Sequence, residues 1–246
     1  IVATAAGVVF FLWYLVSGQG RLRLQWQGFQ MQPSQFADIL KVGATACLSP
    51  VQSVLAILIF TGLLAQLGTE ALAGYGIGQR LEFLLIPIAF GIGVASVPMV
   101  GMAMGAGQVA RARQVAWVAG GVSAFNLALI GAVVTWAPDL WARLFTQDEA
   151  VLSHARHYLV TAGPAFAFFG LGLTLYFASQ GAGQVIGPVL AGTVRLVLVA
   201  GAGYWLSQHQ GTADRFYQLV AVAMVLYGVV TAAAVKLTPW GLKKKG

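Results

Sequence analysis

The sequence predicts an all-α fold, a polytopic bundle of transmembrane helices, and three observations support this prediction. Of the 246 residues, 59% are hydrophobic and only 9% are charged, whereas a soluble domain is about 25% charged. Apolar stretches of about 20 residues, the length that a helix needs to cross a bilayer, recur along the whole chain. The 31 glycines suit helices that pack closely within a membrane.

Seven stretches are candidate spans, because each offers close to the length of apolar helix that a bilayer requires. In chain order they are Ile1–Val16, Val42–Leu67, Tyr75–Met104, Val115–Ala137, Tyr158–Ser179, Val185–Ser207 and Phe216–Leu237. The connections between them are short, so successive helices are expected to be antiparallel neighbours.

Prolines mark the irregular parts of these spans. Pro50 lies near the start of the second span and is expected to widen a cavity there. The third span is long enough to bend at Pro87 and Pro98, and the fifth is interrupted by Pro164. Each proline removes a helical hydrogen bond, so the freed backbone group needs another partner or a cavity.

Two shorter segments are expected to lie along the membrane surface. Gln32–Lys41 has a helix-start signal in its proline and serine and leads into the second span. Pro138–Phe145 is amphipathic, with its apolar side chains on one side. The chain begins without Met, inside an apolar stretch, and we therefore expect it to be a C-terminal fragment of a longer protein.

The basic residues predict the orientation of the chain. With the C-terminus in the cytoplasm, nine of the fourteen Lys and Arg residues fall in cytoplasmic segments and three in outer segments, which is a positive-inside pattern. The nine are Arg21, Arg23, Lys41, Arg111, Arg113, Lys236, Lys243, Lys244 and Lys245. This placement explains the net charge of +7 by topology, so we expect no nucleic-acid partner.

Ionisable residues inside the spans are candidates for function, because a charge in a bilayer normally faces protein or a water-filled cavity. Arg80 and Glu82 lie two residues apart in the third span. One interpretation is that they line a cavity, where they bind a cation or proton or gate a path. The other is an ion pair near the outer interface that only ties helices together. Their spacing points them to different helix faces, so each can have its own partner.

Arg195 lies in the sixth span, ten residues from its start, and is either a direct substrate contact or a structural counter-ion. Among the uncharged polar residues of the spans, we assign Gln52, Gln79 and Asn126 to the same substrate or ion pathway. The alternative for each is an interhelical hydrogen bond, worth about 0.6 kcal/mol on average.

The sequence shows no pattern of a metal or catalytic centre. His154 and His157 lie near Asp148 and Glu149, but at the membrane surface and without a matching set of ligands elsewhere, so we expect no metal. No nucleophile elbow, phosphate-binding loop, zinc motif or dinucleotide fingerprint is present. We therefore expect no enzyme and no cofactor, apart from a coupling ion.

Three stretches resemble the multidrug and toxic compound extrusion family: Ala71–Gly93, Pro98–Arg113 and Phe177–Pro188. The resemblance covers roughly Pro33 to Leu237. It implies two six-helix lobes related by a pseudo-two-fold axis. Residues 1–30 would then be the last helix of the N-terminal lobe and the inter-lobe linker, and residues 31–246 the six-helix C-terminal lobe. The missing N-terminal lobe becomes an expected partner.

The resemblance also implies the function. Such transporters sit in the lipid bilayer, here the bacterial inner membrane, and exchange H⁺ or Na⁺ for organic, often cationic, small molecules by alternating access, as in multidrug efflux. Some members carry acids in the first and fourth helices of this lobe, but Val42–Leu67 and Tyr158–Ser179 contain none. The coupling site is then expected at Glu82 or in the missing lobe. A flippase for lipid-linked precursors is the alternative; it would need several cavity-lining cations, for which Arg80 and Arg195 are the candidates.

Overall fold

The computed structural model of the chain describes residues 2–17, 33–209 and 211–240, and these residues contain helices and turns but no strand. The all-α prediction is confirmed. In chain order the helices are α1 (Val2–Ser17), α2 (Pro33–Leu64), α3 (Thr69–Gly105), α4 (Val109–Trp136), α5 (Asp139–Ala142), α6 (Glu149–Ala162), α7 (Phe166–Gly181), α8 (Ile186–Gln208) and α9 (Ala213–Leu237). Short 3-10 turns at Ala65–Leu67 and Gly163–Ala165 follow α2 and α6.

Six helices of the described residues are long and apolar enough to cross a membrane, with α6 and α7 together forming one of them. They correspond to six of the seven predicted spans. The remaining one, Ile1–Val16, is helical as α1, but α1 has only 16 residues, shorter than the other six. Its role as a seventh span stays a prediction.

The expected surface segment Gln32–Lys41 is continuous with the second span in the part that the structure describes, because α2 begins at Pro33 and continues to Leu64. The candidate span within this helix begins at Gly43, so the position of the preceding residues along the membrane surface stays a prediction. Proline fits the first turn of a helix, where its missing N–H would have no partner in any case. No further proline follows until Pro50, so nothing in the sequence stops the helix at the predicted boundary.

The fifth span begins earlier than predicted, at Glu149 instead of Tyr158. The Asp148 side chain caps this start, because its carboxylate accepts a hydrogen bond from the backbone N–H of Ala150 at 2.9 Å. The predicted interruption at Pro164 is present as the 3-10 turn between α6 and α7. The predicted surface segment before it contains the short helix α5.

The chain divides into two compact units, Ile1–Leu40 and Lys41–Gly246. The first contains α1 and the beginning of α2. In the second, α7 packs against α3, α4 and α9, and α8 packs against α9. Large side chains that are almost completely buried fill the interior of this second unit, among them Phe60, Leu85, Tyr158, Phe166 and Tyr217.

Polar contacts join the helix ends of the second unit. Where α4 begins, Arg113 Nη2 donates a hydrogen bond to the Thr238 carbonyl at the end of α9, at 2.5 Å. Beyond the other end of α4, Arg156 donates to Asp139 at 2.5 Å. Hydrogen bonds from Arg156, followed by those from Arg143, hold the pKa of Asp139 below its ordinary value. The charge pattern predicts that the end of α4 that carries Arg113 is cytoplasmic. The tail Lys243–Lys245, which the same pattern places in the cytoplasm, lies outside the described residues.

Candidate functional site

A cavity of about 320 Å³ is lined by side chains of α2, α3, α7, α8 and α9. Among the described residues that line it, Glu82 is the only carboxylate and Arg195 the only cation. The wall is mainly aromatic and aliphatic, and the aromatic residues are Phe83, Phe90, Phe169, Tyr176, Phe177 and Tyr227. A mostly apolar cavity with a few convergent polar groups is typical of a binding site for small organic molecules.

A second, larger opening of about 650 Å³ lies between α3 and α4. Its described lining includes Arg111 and Gln114 but no carboxylate. Because ionisable residues within spans are candidates for function, we place the candidate site in the smaller cavity, whose described lining includes Glu82 and Arg195.

Glu82 is held by a contact that two glycines permit. A Cβ atom at Gly74 would lie 2.5 Å from the Cβ of His154, and one at Gly78 would overlap the ring of Tyr158. With glycine at both positions, α3 and α6 approach closely and the Tyr158 ring lies against α3. Its hydroxyl then donates a hydrogen bond to Oε1 of Glu82. Glu82 lies about 20 Å along α3 from the first residue of the helix, at 1.5 Å per residue.

Aromatic contacts fix the Tyr158 ring. It packs edge-on against Tyr75, with ring centroids 5.2 Å apart, and against Tyr217, with centroids 5.4 Å apart. The Tyr75 hydroxyl accepts a hydrogen bond from the Gln79 side-chain amide at 3.3 Å. The Tyr158 ring, whose hydroxyl donates to Glu82, is therefore oriented by neighbours on both sides. Gln79 belongs to the same cluster of polar side chains through its hydrogen bond to Tyr75.

Tyr176 is positioned by the proline in α2. Pro50 has no N–H, so the carbonyl of Ala46, four residues earlier, receives no helical hydrogen bond from it. The Tyr176 hydroxyl donates to this carbonyl at 2.8 Å. The hydrogen bond that Pro50 removes from α2 thus leaves a carbonyl that fixes Tyr176, a side chain of α7 that lines the cavity.

Arg195 lies between two rings of the cavity wall. Its guanidinium carbon is 5.9 Å from the centroid of the Phe169 ring and 5.8 Å from that of the Tyr227 ring. Both distances are within the range of cation–π attraction. Arg195 makes no ion pair with Glu82 among the described residues, although both line the cavity.

Gln52 lies beside the cavity and does not line it. Its Nε2 donates to the hydroxyl of Thr193 at 2.8 Å, which joins α2 to α8. The structure therefore shows Gln52 in the interhelical hydrogen bond that was the alternative to a pathway role.

Arg80 and Asn126 lie away from the cavity. Arg80 is exposed, with its guanidinium carbon 5.0 Å from the centroid of the Phe145 ring. The i, i+2 spacing that separates it from Glu82 turns it to another face of α3. The Asn126 side chain donates to the carbonyl of Val122 in its own helix at 2.8 Å. Of the six predicted residues, the structure brings Glu82, Gln79 and Arg195 together; whether any of the six acts in a pathway stays a prediction.

Three residues that organise the cavity are absent from the predicted set: Tyr158, Tyr176 and Tyr227. A buried tyrosine usually finds a partner for its hydroxyl, so tyrosines within apolar spans were a usable signal. Pro50 was another, because it implies an unsatisfied carbonyl four residues earlier. Which tyrosine reaches which group depends on helix packing and could not be read from spacing.

The two histidines of α6 contact side chains of α9. His154 Nδ1 lies 3.2 Å from the Tyr217 hydroxyl, and His157 Nε2 lies 3.5 Å from Asp214 Oδ1. In the part of the chain that the structure describes, no group of three or more His, Cys, Asp and Glu side chains is placed to hold a metal ion.

Comparisons with known proteins agree on one family. A family model described as MatE matches residues 46–205. A probable multidrug resistance protein NorM of Pseudomonas syringae pv. tomato is 28% identical over 208 residues, which cover 82% of this chain and 43% of the relative. An FAD transporter of Shewanella oneidensis is 24% identical over 167 residues, covering 68% of this chain and 37% of the relative.

The fold also matches a solved structure. The Vibrio cholerae MATE transporter VcmN in the bent form superposes with a TM-score of 0.83 at 22% identity, covering 96% of this chain and 53% of that chain. The present chain thus spans less than half the length of the two curated relatives and about half of VcmN. Because the family model matches more than half of it, the chain belongs to the MatE family, the multidrug and toxic compound extrusion transporters.

Proposed function

We propose that this chain is the C-terminal lobe of an H⁺- or Na⁺-coupled antiporter that exports organic, often cationic, compounds by alternating access. Glu82 would be the coupling group. The observation that supports this most is its position, because it is the one carboxylate among the described residues of an otherwise aromatic and aliphatic cavity.

One carboxylate can couple two cations by competition. The Tyr158 hydroxyl bonds to Oε1, so Oε2 can receive a proton, a sodium ion or the charged group of a substrate. The surrounding rings can hold an organic cation by cation–π attraction. If the coupling ion and the substrate cannot occupy Glu82 together, entry of one favours release of the other, which is the requirement for exchange.

Alternating access requires a second moving half. In carriers built from repeats, one half moves against the other around a site near the middle of the membrane. The N-terminal lobe would supply that half, and we expect this chain alone to give no gradient-driven uptake in liposomes. The relatives' names refer to multidrug resistance and to FAD transport, so they leave the substrate open.

The flippase alternative is less well supported. It would need several cations to meet phosphate groups, and Arg195 is the one cation among the described cavity residues, since Arg80 lies outside. A membrane-embedded enzyme would need a nucleophile, a base or a metal at one depth. The described lining offers instead a carboxylate, an arginine and hydrogen-bonding side chains among rings.

The test is drug efflux from cells that express the two-lobed protein. Glu82→Gln should abolish coupled efflux with near-normal expression, because the amide keeps hydrogen bonds but cannot exchange a proton or cation. Glu82→Leu should lower expression as well. Glu70→Gln is the matched control, because Glu70 is an exposed acid in the first turn of the same helix. Full efflux with unchanged pH dependence in Glu82→Gln would refute the coupling role.

A further inference from the structure

Arg195 is a half-buried charged side chain within a span. Its Nε atom is inaccessible to solvent and has no hydrogen-bond partner among the described residues. The guanidinium is held by the rings of Phe169 and Tyr227. Since rings attract the face of a guanidinium without using its N–H groups, the two terminal Nη groups remain available as donors in the plane of the group.

Arg195 makes no direct ion pair in the described part of the chain, although Glu82 lies near enough in the same cavity for an electrostatic interaction. The ion pairs there join Arg143 and Arg156 to Asp139 and Glu149, and His157 contacts Asp214 at 3.5 Å. Glu82, the acid that shares the cavity, accepts a hydrogen bond from Tyr158 instead. A charge within a span that has no direct ion-pair partner is costly, so an anionic group that contacts Arg195 directly would bind favourably.

We propose that Arg195 is an anion-binding group of the cavity, and that the cavity accepts aromatic compounds that carry a carboxylate. The planar fork of arginine donors matches the two oxygens of a carboxylate. The aromatic body of the ligand would lie against the ring-lined wall, and a cationic group, where the ligand has one, would face Glu82. This inference rests on the proposed function in one respect, that the cavity is the substrate site.

Naphthoate and naphthamide are suitable probes, because they have nearly the same shape and differ in charge. Their affinities are measured by calorimetry for the full chain in nanodiscs of phosphatidylcholine, with empty nanodiscs subtracted. The unsubstituted protein should bind naphthoate about tenfold more tightly than naphthamide, the factor expected for a hydrogen bond to a charged group. Arg195→Gln should abolish this preference. Arg215→Gln, an exposed arginine at the start of α9, should retain it.

Arg195→Lys provides a second measurement if the glutamine variant does not fold. Lysine keeps the charge but loses the fork and its stacking, so the preference should fall to a few-fold without disappearing. Equal affinities for the two probes in the unsubstituted protein would overturn the proposal, and so would a full preference in either Arg195 variant. Loss of the preference when phosphatidylglycerol is added to the nanodiscs would assign Arg195 to a lipid headgroup and also overturn it.

The result is separable from the coupling role of Glu82. Glu82→Gln should abolish coupled efflux and leave the naphthoate preference intact or larger, because it removes the negative charge from the cavity. A preference retained in Arg195→Gln would therefore refute the anion-binding role alone, and full coupled efflux in Glu82→Gln would refute the coupling role alone.

Discussion

The hydrogen bond from Tyr158 to Glu82 gives a prediction with a defined magnitude. Tyr158→Phe removes one hydroxyl and keeps the ring that packs against Tyr75 and Tyr217. Interhelical hydrogen bonds in membranes contribute about 0.6 kcal/mol on average and at most about 1.7, while a hydrogen bond to a charged group contributes about 1.5–3 kcal/mol. Glu82 is partly buried, so we expect the upper end of the membrane range, a loss of about 1.5 kcal/mol in the free energy of unfolding.

A double-mutant cycle separates this hydrogen bond from other effects of the substitution. Tyr158→Phe, Glu82→Leu and the double variant are unfolded reversibly in mixed detergent micelles and followed by circular dichroism. The coupling energy should be about 1 kcal/mol, because each single variant leaves one polar partner unsatisfied and the double variant leaves none. Glu82→Gln, which keeps an acceptor oxygen, should destabilise less than Glu82→Leu.

Tyr176→Phe is the matched control for the cycle. It is the same substitution in the same cavity, but the Tyr176 hydroxyl donates to the carbonyl of Ala46. Its cycle with Glu82→Leu should give a coupling energy below about 0.5 kcal/mol, the deviation from additivity that is usual for two independent sites. Equal coupling energies in the Tyr158 and Tyr176 cycles would refute the assignment of Tyr158 as the partner of Glu82.

Three further predictions concern packing, pH and topology. Gly78→Ala should destabilise the chain by about 1–3 kcal/mol through overlap with an aromatic ring, whereas Gly76→Ala, with nothing near its added Cβ, should be neutral or slightly stabilising; equal thermal stabilities would contradict the close contact. Arginine hydrogen bonds lower the pKa of Asp139, so its contribution to stability is present above the ordinary aspartate pKa of about 3.9 and is lost as the pH falls through the lowered value. The melting temperature of Asp139→Asn should therefore vary less with pH below about 4 than that of the unsubstituted protein, and parallel curves would contradict this. A cysteine at Arg111, in a protein without Cys47, should be inaccessible to labelling from outside sealed cells, and outside labelling would reverse the predicted orientation.

Much of the fold follows from properties that act over a single helix. Bilayer thickness and apolar length predict the six long spans, and the amphipathic stretch and Pro164 predict α5 and the turn before α7. The boundaries at Pro33 and Glu149 could not be placed as well. A proline is compatible with both the start of a surface helix and the start of a span, and polar residues can continue a helix beyond the membrane.

The site was predictable only in part, because it depends on distances between helices. The cost of a charge in lipid singles out Glu82 and Arg195 from the sequence. The same reasoning also selects Arg80 as a site residue, but Arg80 is exposed and lies on a different face of α3 from Glu82. The contact that positions Glu82 depends on Gly78, where the absence of a side chain lets Tyr158 approach from a helix more than seventy residues later in the chain. Without knowledge of which helices pack together, no sequence spacing connects these residues.

Counter-transport in liposomes tests most directly whether Glu82 couples ion and substrate movement. Liposomes that contain the two-lobed protein are loaded with tetraphenylphosphonium, and entry of H⁺ or Na⁺ is measured as the organic cation leaves. The unsubstituted protein and Glu70→Gln should exchange the two, whereas Glu82→Gln should move neither the ion nor the organic cation above the rate of empty liposomes. Exchange by Glu82→Gln at the rate of the unsubstituted protein would contradict the coupling role of Glu82 and place the coupling site elsewhere in the transporter.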